Sequence, residues 1–128
     1  MKNSIISLLL VIPLNLFAAS INCPQEIHTN QALKQHAKGW EPFVDDWNQV
    51  HQFNQISFYA GHPKEHASLA PDNQQGELIW NFTKNEIWLA CGYLGTTVQL
   101  IQKLPATIKH CTATYSADFS NLKRLNCV

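Results

Sequence analysis

Basic residues are few in this sequence, and they do not cluster. Lysine and arginine number nine in 128 residues, aspartate and glutamate also number nine, and the formal net charge is zero. The sequence contains no run of basic residues and no arginine-rich arm. Because proteins that bind nucleic acid carry a basic patch facing the phosphates, the composition argues against a nucleic-acid partner.

Long apolar runs are also missing, apart from one near the amino terminus. Residues 5–17 form an apolar stretch, and small residues follow it up to Ser20. About 13 apolar residues are too few to span a bilayer, and the small residues resemble a signal-peptidase site. We therefore expect a signal peptide at residues 1–20, cleaved after Ser20 or Ala19. The remainder, residues 21–128, is long enough for one domain. The expected location is periplasmic or secreted, without a membrane-embedded segment.

Common catalytic motifs are absent from the sequence. It has no Gly-x-Ser-x-Gly nucleophile elbow and no glycine-rich phosphate loop. None of its four cysteines has C-x-x-C spacing, which argues against a zinc ribbon or a redox pair. An even number of cysteines in a small exported chain instead predicts two structural disulfides. The cysteines are Cys23, Cys91, Cys111 and Cys127.

The carboxyl-terminal half contains short runs that are typical of antiparallel strands. Aromatic and β-branched residues are grouped in five runs, at residues 77–82, 86–94, 96–104, 110–115 and 121–128. Three polar residues join the first two runs, which predicts a hairpin, and the tight links between all five predict a meander. Residues 56–59 indicate a further strand. We expect Trp80 and Trp88 in the core or on a sheet face.

This strand order favours one of the three possible disulfide pairings. In a meander, Cys91 lies late in one strand and Cys111 lies early in a strand two further on. Cys23 and Cys127 lie near the two ends of the mature chain, and the ends of a domain are often close together. The expected disulfides are therefore Cys91–Cys111 and Cys23–Cys127.

The amino-terminal part of the mature chain supports two interpretations. Apolar residues recur at helical spacing over residues 33–47, but Gly39 and Pro42 interrupt the pattern. Either short helices form near residues 30–38 and 42–49, or the segment is irregular and held by its tryptophans. The expected fold is mainly β. It is a single small antiparallel-sheet domain with a short helical or irregular N-terminal part and two disulfides, and the alternative is an α+β fold.

One loop contains the letters of a zinc-ligand motif. His62, Glu65 and His66 match H-x-x-E-H, the pattern of a class of zinc peptidases. That motif requires both histidines on one rigid helix and a further protein ligand. Gly61 and Pro63 predict a shaped loop instead, in which Pro63 begins at most a short helix capped by His62. We therefore expect no catalytic residue, bound metal or cofactor.

Several short motifs are distributed along the mature chain. They are Cys23-Pro24, Gly39-Trp40, Phe58-Tyr59, Gly61-x-Pro63-x-Glu65 with Leu69-x-Pro71, Trp80, Trp88-x-x-Cys91-x-Tyr93, Leu104-Pro105, Cys111 and Cys127. Together they resemble a family of small exported proteins of Gram-negative bacteria that has no established activity. The resemblance implies an exported, disulfide-bonded single domain, and it assigns no catalytic residue. Neither His62 nor His66 belongs to its pattern.

Two functions from different classes follow from these observations. The first is a non-enzymatic binding module, an inhibitor or immunity-type protein, that recognises a protein partner in the cell envelope through its loops. Its expected contact surface includes Gly61, His62, Pro63 and Glu65. Trp40 and Trp47 would form a second surface if they are exposed, because aromatic residues dominate interface hot spots. The alternative is a small metal-binding protein or hydrolase that uses His62, Glu65 and His66.

Overall fold

The structure is a computed structural model that describes residues 21–128. The predicted signal peptide, residues 1–20, lies outside the described residues. The described part contains β1 (Glu26–His28), β2 (Val50–Ala60), β3 (Ser68–Leu69), β4 (Asp72–Gln74), β5 (Glu77–Asn81), β6 (Ile87–Tyr93), β7 (Leu100–Lys103), β8 (His110–Tyr115) and β9 (Leu122–Cys127). Its helical structure is limited to two 3₁₀ turns, Asp46–Asn48 and Pro63–Glu65, and no helix there is long or apolar enough to cross a membrane. The prediction of a mainly β fold is confirmed.

The strands form two antiparallel sheets. The first has the order β1-β2-β6-β7, and the two-residue strand β3 also pairs with β2. The second has the order β4-β5-β8-β9. Strand β2 is 11 residues long and pairs with three other strands of the first sheet. β1 and β3 pair with its two ends, and β6 pairs along most of its length.

The predicted hairpin and meander are wrong, although the predicted strands form. β5 and β6 belong to different sheets, so the link between them crosses from one sheet to the other. At its start the Phe82 amide donates to the Lys109 carbonyl of the second sheet. At its end the Glu86 carbonyl accepts from the Gly61 amide beside the first. A short polar link can join two facing sheets as well as two neighbouring strands, and the local sequence does not distinguish the two arrangements.

The two sheets pack face to face through aromatic side chains. Phe58 of β2 is fully buried. The centre of its ring lies 4.8 Å from that of Trp80 on β5 of the second sheet and 5.2 Å from that of Phe82, which directly follows β5. Leu89 of β6 is also fully buried in this cluster. Trp80 is thus a core residue, and Trp88 is half-buried on the opposite face of β6 from Leu89, as predicted.

All four cysteines are bonded, as predicted, but the predicted pairing is wrong. The disulfides join Cys23 to Cys91 and Cys111 to Cys127, with Cα–Cα distances of 5.7 Å and 4.1 Å. Cys111 and Cys127 lie directly opposite each other on β8 and β9. Cys91 lies on β6 of the other sheet and is not bonded to Cys111. It is instead reached by the segment before β1, which Tyr93 also holds by donating its hydroxyl hydrogen to the Pro24 carbonyl at 3.0 Å.

Candidate functional site

The connection between β1 and β2, residues 30–48, projects its side chains into solvent. Every residue in it except Ala37 is exposed. The exposed fractions of its three aromatic side chains are 79% for Trp40, 88% for Phe43 and 92% for Trp47. We call this segment the aromatic loop. It has no helix beyond one 3₁₀ turn, so the irregular interpretation is correct, but its tryptophans do not hold it to the domain.

The base of the aromatic loop is tied to the first sheet by a buried histidine. The Thr29 amide donates to the Gln49 carbonyl at 2.8 Å and closes the loop. His51, which is buried, places Nδ1 2.7 Å from the Leu94 carbonyl and Nε2 2.8 Å from the Thr29 hydroxyl. A carbonyl only accepts, so Nδ1 carries the hydrogen, and in the neutral ring Nε2 accepts from Thr29. The loop therefore starts from a fixed base.

This contact gives a prediction for stability. Replacing Thr29 by valine preserves the side-chain volume and removes the hydroxyl, which leaves Nε2 of the buried His51 without that donor. We expect the free energy of unfolding to fall by about 1–2 kcal/mol. Urea unfolding followed by tryptophan fluorescence measures the change. The matched control is Thr97→Val at an exposed position, where we expect a change within about 0.5 kcal/mol. Equal stability of the Thr29 variant and the wild type would contradict the assigned role of the bond.

Carboxylates fix the shape of the loop beside Trp47. Asp45 caps the 3₁₀ turn: its Oδ1 accepts from the Trp47 amide at 2.8 Å, and its Oδ2 accepts from the Asn48 side chain at 3.0 Å. Asp46 accepts from the Gln49 side chain at 3.3 Å. These bonds use the short polar side chains that favour turns. They hold the backbone from which Trp47 projects.

A further carboxylate adds negative charge at the base of the loop. Glu26 of β1 accepts from His28 at 3.2 Å and from the Gln52 side chain at 3.1 Å. The hydrogen bond with His28, and then that with Gln52, lower the pKa of the Glu26 carboxyl below its ordinary value. Glu26 and His28 form the one salt bridge found within residues 21–128. Within the same residues, no basic side chain therefore lies within salt-bridge distance of Glu41, Asp45 or Asp46 in the aromatic loop.

The aromatic loop has two arms, residues 30–38 and 40–48, on either side of Gly39. Both arms line an open hollow of about 560 Å³. This volume lies in the range of pockets that hold small ligands. Its lining combines apolar and aromatic groups with two carboxylates, and it includes Leu33, Ala37, Trp40, Glu41, Phe43, Val44 and Asp45. Trp47 lies outside this lining. Trp40 and Trp47 were predicted as contact residues from the sequence, whereas Phe43 and Glu41 were not. The sequence feature that could have indicated Phe43 and Glu41 is their position between the two tryptophans, in a segment without regular periodicity.

The second predicted surface, the histidine loop at residues 61–71, is compact. Pro63–Glu65 forms one 3₁₀ turn, and Nδ1 of His62 caps it by accepting from the Lys64 amide at 3.1 Å. The His62 ring lies 4.7 Å from the Trp88 ring, between centres. His66 ends the turn in a left-handed conformation, with φ of 61°. The predicted short helix, begun by Pro63 and capped by His62, is confirmed.

The histidine loop does not assemble a metal centre. Within residues 21–128, no group of three or more histidine, cysteine, aspartate or glutamate side chains could hold a metal ion. Nδ1 of His62 faces a backbone amide, and His62 lies before the turn while His66 lies after it. The letters H-x-x-E-H therefore do not place two histidines on one helical face. The geometry gives no support to the alternative function as a metal-binding protein or hydrolase.

Gly61 gives a prediction for the shape of the histidine loop. Its φ is +86°, and a Cβ at this position would lie 3.0 Å from Oε2 of Glu65. The carboxylate is flexible and can move, so the main cost of Gly61→Ala is the left-handed backbone conformation. We expect a loss of about 1–2 kcal/mol in the free energy of unfolding, measured in urea. The double variant with Glu65→Ala should be equally destabilised, and full rescue would show that the carboxylate contact is the cause.

The two predicted surfaces lie at opposite ends of one strand. The aromatic loop joins β2 at Val50, and the histidine loop follows its last residue, Ala60. At roughly 3.3 Å per residue these ends are about 33 Å apart. The structure therefore does not bring Trp40 and Trp47 together with the residues of the histidine loop.

The described residues form two disulfide-bonded sheets with an exposed aromatic loop, and exposed aromatic side chains are typical of protein-binding surfaces. Residues 47–128 match the family model described as Type VI secretion system Tli immunity protein. The matched region is more than half of the chain, and the chain belongs to this family. A search of curated proteins and a search of solved structures found no match. The prediction of an inhibitor or immunity-type protein is confirmed, and membership implies a protein partner.

Proposed function

We propose that the mature chain neutralises a toxic effector delivered by a Type VI secretion system, by binding that effector in the periplasm without catalysing a reaction. The single observation that carries this proposal is the family match over residues 47–128. The match begins at the 3₁₀ turn of the aromatic loop and includes every strand from β2 to β9. The match therefore covers eight of the nine described strands rather than an isolated motif, and it leaves out β1 and Cys23.

Two further features support the periplasm as the place of action. Disulfides form and persist in oxidising compartments, and this domain depends on two of them. The apolar segment at residues 5–17, followed by small residues, is the expected export signal. An inhibitor in the periplasm would meet an effector that reaches or acts in that compartment.

Two loops are the candidate contact surfaces for the effector. The histidine loop presents Gly61, His62, Pro63 and Glu65, but the His62 ring already packs on Trp88. The aromatic loop presents three large rings that are almost fully exposed. Burial of such rings contributes more to an interface than burial of a loop that is already packed. We therefore place the main contact on the aromatic loop.

A competition experiment between two strains tests this function and does not require a purified effector. The attacker is the strain that carries the gene, and the recipient is the same strain with the gene and that of its cognate effector deleted. Recipients hold an empty vector, the full chain, or residues 21–128 behind an initiator methionine. We expect survival with the full chain to equal survival against a secretion-deficient attacker, because the effector is neutralised. Equal killing with the empty vector and with the full chain would refute the immunity function.

The third recipient tests the compartment. Without the export signal the chain stays in the cytoplasm, where its disulfides do not form and an effector in the periplasm is out of reach. We expect this recipient to be killed like the one with the empty vector. Protection by the cytoplasmic form would retain the immunity function and would overturn the periplasmic location.

A further inference from the structure

We infer that the aromatic loop recognises a basic side chain of the effector, an arginine or lysine that enters the hollow between its two arms. This inference rests on the proposed immunity function and names the chemistry of the partner surface. It starts from the residues that line the hollow, which include the aromatic Trp40 and Phe43 and the acidic Glu41 and Asp45. Aromatic faces and carboxylates together favour a cation, by cation–π attraction and by charge-assisted hydrogen bonds.

The carboxylates retain the capacity to bind such a group. Asp45 uses one oxygen for the Trp47 amide and one for the Asn48 side chain, at 2.8 Å and 3.0 Å. Each carboxylate oxygen has two lone-pair directions, so Asp45 can accept further hydrogen bonds. No basic side chain lies within salt-bridge distance of Glu41 or Asp45 among residues 21–128. A guanidinium or ammonium group from a partner would therefore meet carboxylates that are not already paired.

The distribution of charge along the loop supports a protein partner with a basic contact. Between Trp40 and Trp47 all charged residues are acidic, and they are Glu41, Asp45 and Asp46. The basic residues of the loop, Lys34 and Lys38, lie on its first arm. Exposed tryptophans also occur in proteins that bind membrane surfaces, but those proteins carry lysine and arginine around the apolar side chains. Acidic residues around the rings would be repelled by anionic lipid.

The family match separates the loop from the shared scaffold. The matched region starts at Trp47, so Trp40, Glu41 and Phe43 lie outside it. The hollow is therefore built mostly from residues that the family model does not include.

Two double variants test the inference. Trp40→Ala with Phe43→Ala removes the rings, and Glu41→Gln with Asp45→Asn removes the charges while the asparagine can still cap the 3₁₀ turn. The probe is the effector that co-purifies with the wild-type chain, purified and titrated by calorimetry. We expect about 100-fold weaker binding for the ring variant and about tenfold weaker binding for the charge variant. We also expect loss of protection by the ring variant in the competition experiment.

Matched controls separate the loop from the rest of the surface. Phe119→Ala removes an aromatic ring that is 47% exposed on another loop, and Asp72→Asn removes an exposed carboxylate on β4. Both should bind and protect like the wild type. His62→Ala with Glu65→Ala alters the histidine loop at the opposite end of β2 and should also retain binding. Thermal unfolding and periplasmic protein levels are measured for every variant to establish that the domain is folded. If the ring variant does not fold, the charge variant provides the test.

Several results would overturn the inference while leaving the immunity function in place. Full binding and protection by both loop variants would exclude the loop as the contact. Loss only in the histidine-loop variant would move the contact to the other end of β2. Weaker binding by the ring variant alone, without dependence on salt, would show an apolar occupant instead of a basic one.

Dimerisation of the wild type that the ring variant abolishes, measured by light scattering, would assign the loop to a second copy. Flotation with vesicles containing phosphatidylglycerol, lost in the ring variant, would assign it to a membrane. Failure of the wild type to protect would instead refute the proposed function.

Discussion

Replacing Phe58 by alanine is expected to lower the free energy of unfolding by about 4 kcal/mol. Phe58 is fully buried, and its ring contacts both Trp80 and Phe82 across the interface between the two sheets. The substitution removes the apolar area of a whole ring and two aromatic contacts, and it leaves a cavity that the rigid sheets cannot close. Small domains are stable by only about 5–15 kcal/mol, so this loss is a large fraction of the total.

The measurement is urea unfolding followed by circular dichroism, with Phe119→Ala as the matched control. Phe119 is half-exposed, and we expect its removal to change the free energy of unfolding by less than about 0.5 kcal/mol. A Phe58→Ala variant that loses less than about 2 kcal/mol would contradict close packing of the two sheets at this ring. Recipients that produce Phe58→Ala should also lose protection at growth temperature, because less of the folded chain accumulates.

Removal of the Cys23–Cys91 disulfide is expected to destabilise the domain by about 4 kcal/mol, and removal of Cys111–Cys127 by about 3 kcal/mol. The difference follows from the sequence separations of 68 and 16 residues, because the longer loop loses more entropy in the unfolded chain when it is closed. The paired variants Cys23→Ala with Cys91→Ala, and Cys111→Ala with Cys127→Ala, are compared by urea unfolding.

Mass spectrometry of the unreduced wild type supplies the control for this prediction. A peptide that contains Cys23 should be linked to one that contains Cys91. Detection of a Cys91–Cys111 link would contradict the structure, in which Cys111 is bonded to Cys127 directly opposite it on β9. If removal of Cys111–Cys127 lowers the free energy of unfolding more than removal of Cys23–Cys91, packing around the fully buried Cys111 outweighs loop entropy.

The strands were predictable because their sequences fit a half-buried sheet. The run at residues 110–115 corresponds to β8 without a shift, and the run at residues 77–82 is one residue longer than β5. Alternation of apolar and polar residues gives the position of a strand and the side that faces the core. It does not give the neighbouring strand. β2 was recognised only at residues 56–59, because polar residues such as Gln52 and Asn54 obscure its first half.

That hidden strand explains the remaining errors. β2 occupies the place beside β6 that the predicted hairpin gave to β5. Because β5 and β6 lie in different sheets, Cys91 and Cys111 are not on strands of one meander, and the predicted disulfide between them loses its basis. The pairing of strands far apart in the sequence depends on how the whole core packs. Short-range signals such as the link after Phe82 do not contain that information.

The candidate site was predictable only in part. The segment broken by Gly39 and Pro42 allowed either short helices or an irregular loop. Trp40 and Trp47, predicted as a contact surface if exposed, are exposed. The hollow was not predictable, because it depends on how the two arms of the loop approach each other. His51 at the base of the loop was not singled out either, since a single histidine in a polar strand has no pattern of its own.

The Cys23–Cys91 disulfide has a consequence for proteolysis. A protease that cuts the exposed aromatic loop once produces two fragments, but Cys23 lies before the cut and Cys91 lies after it. The fragments therefore stay covalently joined, and β1 can remain paired with β2. The nicked chain would migrate as one band without reductant and as two bands with it. A single cut in the aromatic loop therefore does not separate β1 from the rest of the domain.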